Sequence, residues 1–298
     1  MKLSGAIKAR EVDLVLLLVA FFWGSSYLSA KVLTQHTSVL SVLGLRFAVT
    51  SIGMFFVWFA RRDKFQKPEW IFGSILGASQ ALILFCETAG VSKTTATNAG
   101  LIISLTIVTT PILESIASKN WLPRKFFVAT VVAVVGVSLL VSGEGFFAPG
   151  LGDWLMLIAA FIRSIHVTAM GHVTRGKSYS TVNITLIQSL TCAVIFTALS
   201  FQDMADAVSN FAPAQWYGLL YLSLLCGLFS FLANLWAIRR TSASRAGLLL
   251  ATEPIWAVVV GISVGGETLA LLGVVGAVLI LGATFWGQRI ETAHREKI

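Results

Sequence analysis

Ala20-Phe-Phe-Trp-Gly-Ser-Ser-Tyr-Leu-Ser-Ala30 lies inside the first long apolar run, and Ala160-Phe-Ile-Arg-Ser-Ile-His-Val-Thr-Ala-Met170 lies inside another, 140 residues on. At that shift Asp13 meets Asp153, Leu17 meets Leu157, Ala20 meets Ala160 and Phe21 meets Phe161. A second block matches at a shift of 147: Thr94-Thr-Ala-Thr-Asn-Ala-Gly-Leu101 against Thr241-Ser-Ala-Ser-Arg-Ala-Gly-Leu248. Each block runs on into a segment with one proline, Pro111 or Pro254. Matches that recur in the same order along two halves are the mark of an internal repeat. The copies differ where Trp23 becomes Arg163 and Ser26 becomes His166.

Composition sets the class. The 298 residues are 56% hydrophobic and 12% charged, about half the charge of an ordinary soluble domain. A helix crosses the hydrocarbon core with about 20 apolar residues. Ten segments meet that length: 13–33, 38–60, 69–91, 95–117, 125–143, 152–174, 181–201, 215–238, 243–265 and 268–288. The expected fold is therefore all-α and integral to a membrane. Of the 22 Lys and Arg residues, 18 fall in the termini, loops and span ends of one side, two (Lys31 and Lys93) on the other, and two (Arg46 and Arg163) deep inside spans. Positive charge stays on the cytoplasmic side, so both termini are expected in the cytoplasm, and the net charge of +8 is a topology signal. No nucleic-acid motif accompanies it. Lys2, Lys8 and Arg10 before an apolar run could open a cleaved leader, but the first span has a copy in the sixth, and we expect it to be retained. Cys86, Cys192 and Cys226 all fall in apolar runs without metal-ligand spacing; no metal or other cofactor is expected.

Five spans in each half, an odd number, make the second half enter from the opposite face. The repeat is expected to be inverted, with halves at 1–146 and 147–298. Inverted repeats are typical of secondary transporters, where two similar halves exchange conformations around a central site.

The chain resembles the EamA-type transporters of the drug/metabolite transporter superfamily. The resemblance is carried by Phe22-Trp23-Gly24, Leu45-Arg46-Phe47, Thr94-Thr-Ala-Thr-Asn-Ala-Gly100, the run Arg240-Thr-Ser-Ala-Ser-Arg-Ala-Gly-Leu-Leu-Leu-Ala-Thr-Glu-Pro254, and Gly266-Glu267-Thr268. It implies a ten-helix inner-membrane carrier moving small metabolites, often outward, driven by an ion gradient or by exchange. The first half departs from the family's pattern: where many relatives carry an acidic–basic pair after the fourth helix, this chain has Ser118-Lys-Asn-Trp121, and no coupling role is assigned to that loop.

Depth selects the candidate residues. At about 1.5 Å per residue, Arg163 and Glu253 each lie about 15 Å into their spans, entering from opposite faces. A central Arg or Asp costs about 2.5–3.5 kcal/mol to insert, so neither is expected to face lipid. They either pair with each other or bind cargo: Arg163 a carboxylate or phosphate, Glu253 an amine or the coupling proton. His166 sits one turn from Arg163 and could titrate, or be hydrogen-bonded in the packing. Trp23 and Ser26, the repeat partners of Arg163 and His166, should line the same cavity, with Tyr27 and Gln80. Glu87 and Asn234 are partners at the 147 shift. Glu87, about 6 Å from the outer end, reads as hydrated rim or as a proton site, and Asn234 as a cargo contact or a helix–helix hydrogen bond. Arg46, Pro111 and Pro254 read as structural, gating or hinge positions. The threonines before Pro111 are expected to satisfy the carbonyl that the proline frees.

The expected function is a secondary transporter, an exporter of small metabolites or amino-acid-like solutes, acting as a monomer or homodimer with a proton or Na+ as coupling ion. An importer or exchanger of the same fold is the alternative. A membrane-embedded enzyme ranks lower, since no nucleophile–base set or phosphate-cradling loop is present. A receptor or assembly subunit is disfavoured by loops this short.

Overall fold

The structure is a computed structural model. It describes residues 2–119, 121–141, 149–174, 177–238, 240, 246 and 249–295. Every described element is helical: α1 (Lys2–Leu33), α2 (Val39–Arg61), α3 (Lys67–Val91), α4 (Ala96–Ile103), α5 (Thr106–Ser118), α6 (Arg124–Val141), α7 (Leu151–Thr174), α8 (Thr181–Asn210), α9 (Pro213–Leu220), a π-helical stretch (Tyr221–Phe229), α10 (Ser230–Ile238), α11 (Glu253–Ser263) and α12 (Leu271–Arg295). Among the described residues eight stretches are long and apolar enough to cross a bilayer, with α11 a ninth, shorter apolar helix. The fifth and ninth expected spans, 125–143 and 243–265, run into residues outside the described set, as do Asn120 and most of the Thr241–Leu248 block.

The helix ends follow local chemistry. Ser38, Thr95 and Ser180 cap α2, α4 and α8 by accepting from the backbone N–H three residues on. Gln66 and Glu69 form a capping box at the start of α3, beside Pro68. Arg62 and Lys119 close α2 and α5 in the left-handed conformation, their N–H groups reaching back to Trp58 and Ser115.

The helices pack chiefly as α2 with α8, α6 with α12, α3 with both α8 and α7, and α1 with α11, which also meets α4. Small residues permit the closest approaches. A Cβ on Gly73 or Gly77 of α3 would run into Ile187 or Thr191 of α8, the close approach that small residues four apart allow. The outward faces are apolar: Phe56, Ile71, Val131, Val194 and Val278 are all exposed. In a membrane protein that surface meets lipid.

Three features differ from the expected spans. The fourth span is two helices, α4 and α5, separated by a turn at Ser104 and Leu105. The ninth likewise turns at Ala251 and Thr252, just before α11. These two turns are 147 residues apart, the shift of the sequence repeat. The two prolines stand differently to these turns. Pro254 lies in the first turn of α11, where its missing N–H has no partner to lose; Pro111 sits inside α5, well past the turn. Third, the seventh span runs beyond residue 201 to Asn210, bending at Ser200. Its last part carries Gln202, Asp203, Asp206 and Asn210, too polar for lipid, and Met204 there lies against Gly44 of α2.

Candidate site at mid-depth

The two broken spans bring irregular backbone to the centre of the bundle. In lipid such backbone persists only where protein or a cavity surrounds it. Local hydroxyls patch the turns: Ser104 and Thr106 donate to the carbonyls of Leu101 and Ile103, and Thr252 donates to Leu249. Thr109 donates to Leu105 and bonds Ser164 of α7. Among the described residues no threonine donates to the Ile107 carbonyl freed by Pro111, contrary to expectation; the hydroxyls serve the turn instead.

Glu253 opens α11 beside the second turn. Tyr27 of α1 donates its hydroxyl to the Glu253 carboxylate at 2.9 Å. Gly24 makes that approach possible, since a Cβ there would lie 2.5 Å from the Glu253 carbonyl oxygen. Arg163 does not pair with Glu253. Its guanidinium binds Glu87 of α3 at 2.5 Å, within electrostatic reach of Tyr27 and Glu253. Glu87 is therefore no hydrated rim residue: its side chain is 7% exposed. Helix rise alone placed it near an end, but α3 packs along α7, and the long Arg163 side chain spans the difference in depth.

The other candidates separate. His166 is buried, its Nδ1 bonded to Ser79 of α3 at 2.7 Å. Trp23 donates its indole N–H to the Cys226 carbonyl in the π-helical stretch at 3.2 Å. Trp23 and Arg163, equated by the repeat, thus each reach across to another span. Ser26 donates to the Trp23 carbonyl and Gln80, next to Ser79, is half-buried. Arg46 of α2 lies over Phe47 and within electrostatic reach of Glu87 and Arg163. Asn234 of α10 keeps its side-chain oxygen buried without a partner among the described residues; the structure does not join it to Glu87, its repeat partner. Pro111 and Pro254 are both buried.

Two knots at opposite ends of the bundle escaped the sequence reading. In the loop before α12, Glu267 accepts from the backbone N–H groups of Ala96 and Thr97, at the start of α4, and from Lys31 of α1. Burial pushes its carboxyl up, but the N–H bonds and Lys31 outweigh that and hold it below the ordinary glutamate value. At the other end buried Glu69 accepts from the N–H groups of Gln66 and Ser180 and from the Asn183 side chain. Glu267 stood out in sequence, but nothing there could name its partners. A cavity of about 490 Å³ lies at the end of the bundle that carries Lys31, lined by His36, Ser38, Asp203, Asp206, Asn210 and Gln215. None of the mid-depth residues lines it.

A model of the EamA-like transporter family matches the chain twice, over residues 11–142 and 150–286. The chain belongs to the EamA-like transporter family. Its relatives within this family of transporters include a protein of Archaeoglobus fulgidus described as an uncharacterized transporter, 27% identical over 281 residues covering 92% of this chain and 85% of that protein. Another is the uncharacterized transporter YetK of Bacillus subtilis, 23% identical over 271 residues, 88% of this chain and 82% of YetK. A solved protein crystal structure shares the fold, with a TM-score of 0.62 at 17% identity over 95% of this chain and 98% of its own. The chain is an integral membrane protein with a transporter's architecture.

Proposed function

We propose that this EamA-like protein is a secondary active transporter that exports small metabolites by alternating access. Two five-helix halves, 1–146 and 147–298, enter the plasma membrane (the inner membrane in a bacterium) with opposite orientations and with both termini cytoplasmic. A proton or sodium gradient, or exchange, drives the cycle, and the protein performs no chemical step on its cargo.

The observation that carries this reading is the pair of turns at Ser104–Leu105 and Ala251–Thr252, related by the repeat shift and set at mid-depth. Discontinuous helices at corresponding places in two halves are where such carriers bind cargo. The packing supports the same relation. Exchanging the two halves turns the α3–α7 contact into that of α1 with the π-helical stretch and α10, and the α1–α11 contact into those of α7 with α4 and α5. The α2–α8 and α6–α12 contacts map onto themselves. The mid-depth groups Trp23, Ser26, Gln80, Arg163, Asn234 and Glu253 all keep part of their surface open. Polar surface at that depth is too costly to give to lipid, so in this reading it lines a chamber. Purified protein in liposomes, under an imposed proton or sodium gradient or with internal solute for exchange, should accumulate a small metabolite; no solute movement under any of these conditions would overturn the reading.

A further inference from the structure

We infer that the cargo is an amine with an aromatic or apolar body and no carboxylate, its ammonium held by Glu253. This rests on the transporter reading above. The argument begins with how the charges at mid-depth are matched. Arg163 is taken: Glu87 binds it directly. Glu253 receives one hydrogen bond from a neutral hydroxyl, that of Tyr27, and among the described residues no Lys, Arg or His nitrogen pairs with it. Arg46, the other cation at this level, interacts with Glu87 and Arg163, and Glu253 is not among its electrostatic neighbours.

A carboxylate away from bulk water needs a cation or a full set of donors. One hydroxyl is not a full set, and Arg163, the cation within electrostatic reach of Glu253, is bound directly by Glu87, so Glu253 is the group left for a positively charged ligand. An α-amino acid carries its carboxylate within a few ångströms of its ammonium. To bind at Glu253 it would bring that second charge to a place where the nearest guanidinium is already neutralised. Removing the carboxylate removes the conflict.

The surroundings select the rest of the molecule. Trp256 lies one turn beyond Glu253 on α11 and meets Phe21 edge-on, with ring centroids 5.4 Å apart. Aromatic faces attract ammonium groups and accept apolar bodies. The Trp256 indole N–H is buried without a partner among the described residues, a donor left over for a ligand acceptor or a water.

The test measures binding to the purified full-length protein by calorimetry, with tryptamine, tryptophan and 3-ethylindole as probes. They share one ring system and differ in charge. Tryptamine should bind wild-type protein at least about tenfold more tightly than either of the others, and Glu253→Gln should remove that preference. The wild-type comparison stands even where the variant does not fold. Tryptophan or 3-ethylindole binding as well as tryptamine, no tryptamine binding, or an unchanged preference in a folded Glu253→Gln protein overturns the inference. Liposome transport separates the two readings. Tryptophan moved without tryptamine binding sinks the amine class and leaves the transporter. Tryptamine bound with no solute moved keeps Glu253 as an amine site and sinks transport.

Discussion

Arg163 of α7 holds Glu87 of α3, not Glu253 of α11. That choice of partner makes α3 and α7 one electrostatic unit and leaves Glu253 with the hydroxyl of Tyr27.

Removing one member of a buried pair strands the other, at a cost of about 3–5 kcal/mol. Arg163→Ala should therefore lower the melting temperature and abolish transport, with a larger loss than Arg46→Lys. The double variant Arg163→Met/Glu87→Leu should recover most of the stability, because apolar replacement of a buried pair is often neutral or better, yet remain inactive. Thermal unfolding in detergent beside a liposome assay reads both. Equal transport losses for Arg163→Ala and Arg46→Lys, with both proteins folded, would remove Arg163 from the site.

Glu253→Gln keeps the shape and removes the ionisable group. Transport rates measured between about pH 5 and 8 should follow a flatter profile in the variant than in wild type. An unchanged profile would make Glu253 a structural residue.

Glu267 gives a stability prediction with a definite sign. Its carboxyl is held below the ordinary value in the folded protein, so its contribution is present above the unfolded value of about 4.3 and fades as pH falls through the lowered folded value. At neutral pH Glu267→Gln should be less stable than wild type by about 1.5–3 kcal/mol, the range for hydrogen bonds to a charged group. The gap should close in acid. A gap that stays constant from neutral to acidic pH would mean that the bonds to Ala96, Thr97 and Lys31 are not charge-dependent.

Gly24→Ala tests the approach of α1 to α11. The added methyl would lie 2.5 Å from the Glu253 carbonyl oxygen and 2.8 Å from the Ala257 nitrogen, and backbone cannot yield as a side chain can. The helices must part, breaking the Tyr27–Glu253 bond. We expect a stability loss of about 1–3 kcal/mol with transport reduced in parallel, whereas Gly282→Ala, where nothing lies within 4 Å, should be neutral.

The helical membrane architecture could be read from the sequence because its causes are one-dimensional. Apolar runs of bilayer length and lopsided loop charge need no partner to be seen, and the eight apolar stretches follow them. The repeat shift carried further than expected, since it relates the two turns as well as the matching residues. The first turn was hidden: Ser104-Leu105 contains no glycine or proline and Pro111 lies well inside the next helix, whereas Pro254 stands just after Ala251-Thr252, at the start of α11. Arg163, Glu253, Tyr27 and Glu87 could be nominated by depth and residue type. Which carboxylate meets which cation depends on the rotation and stagger of α3 and α7, and that is fixed by packing of spans far apart in sequence. The same holds for Glu267, which meets the backbone N–H groups of Ala96 and Thr97, and for the Ser180 and Asn183 partners of Glu69, all on helix starts far away in sequence.

Ser26→Cys, in protein whose three native cysteines are replaced, tests the central claim most directly. In oriented liposomes a membrane-impermeant thiol reagent would be applied from one side and then the other. A chamber opened alternately to the two faces predicts labelling from both sides, slowed when cargo is bound. Labelling from one side only, or from neither, would contradict it.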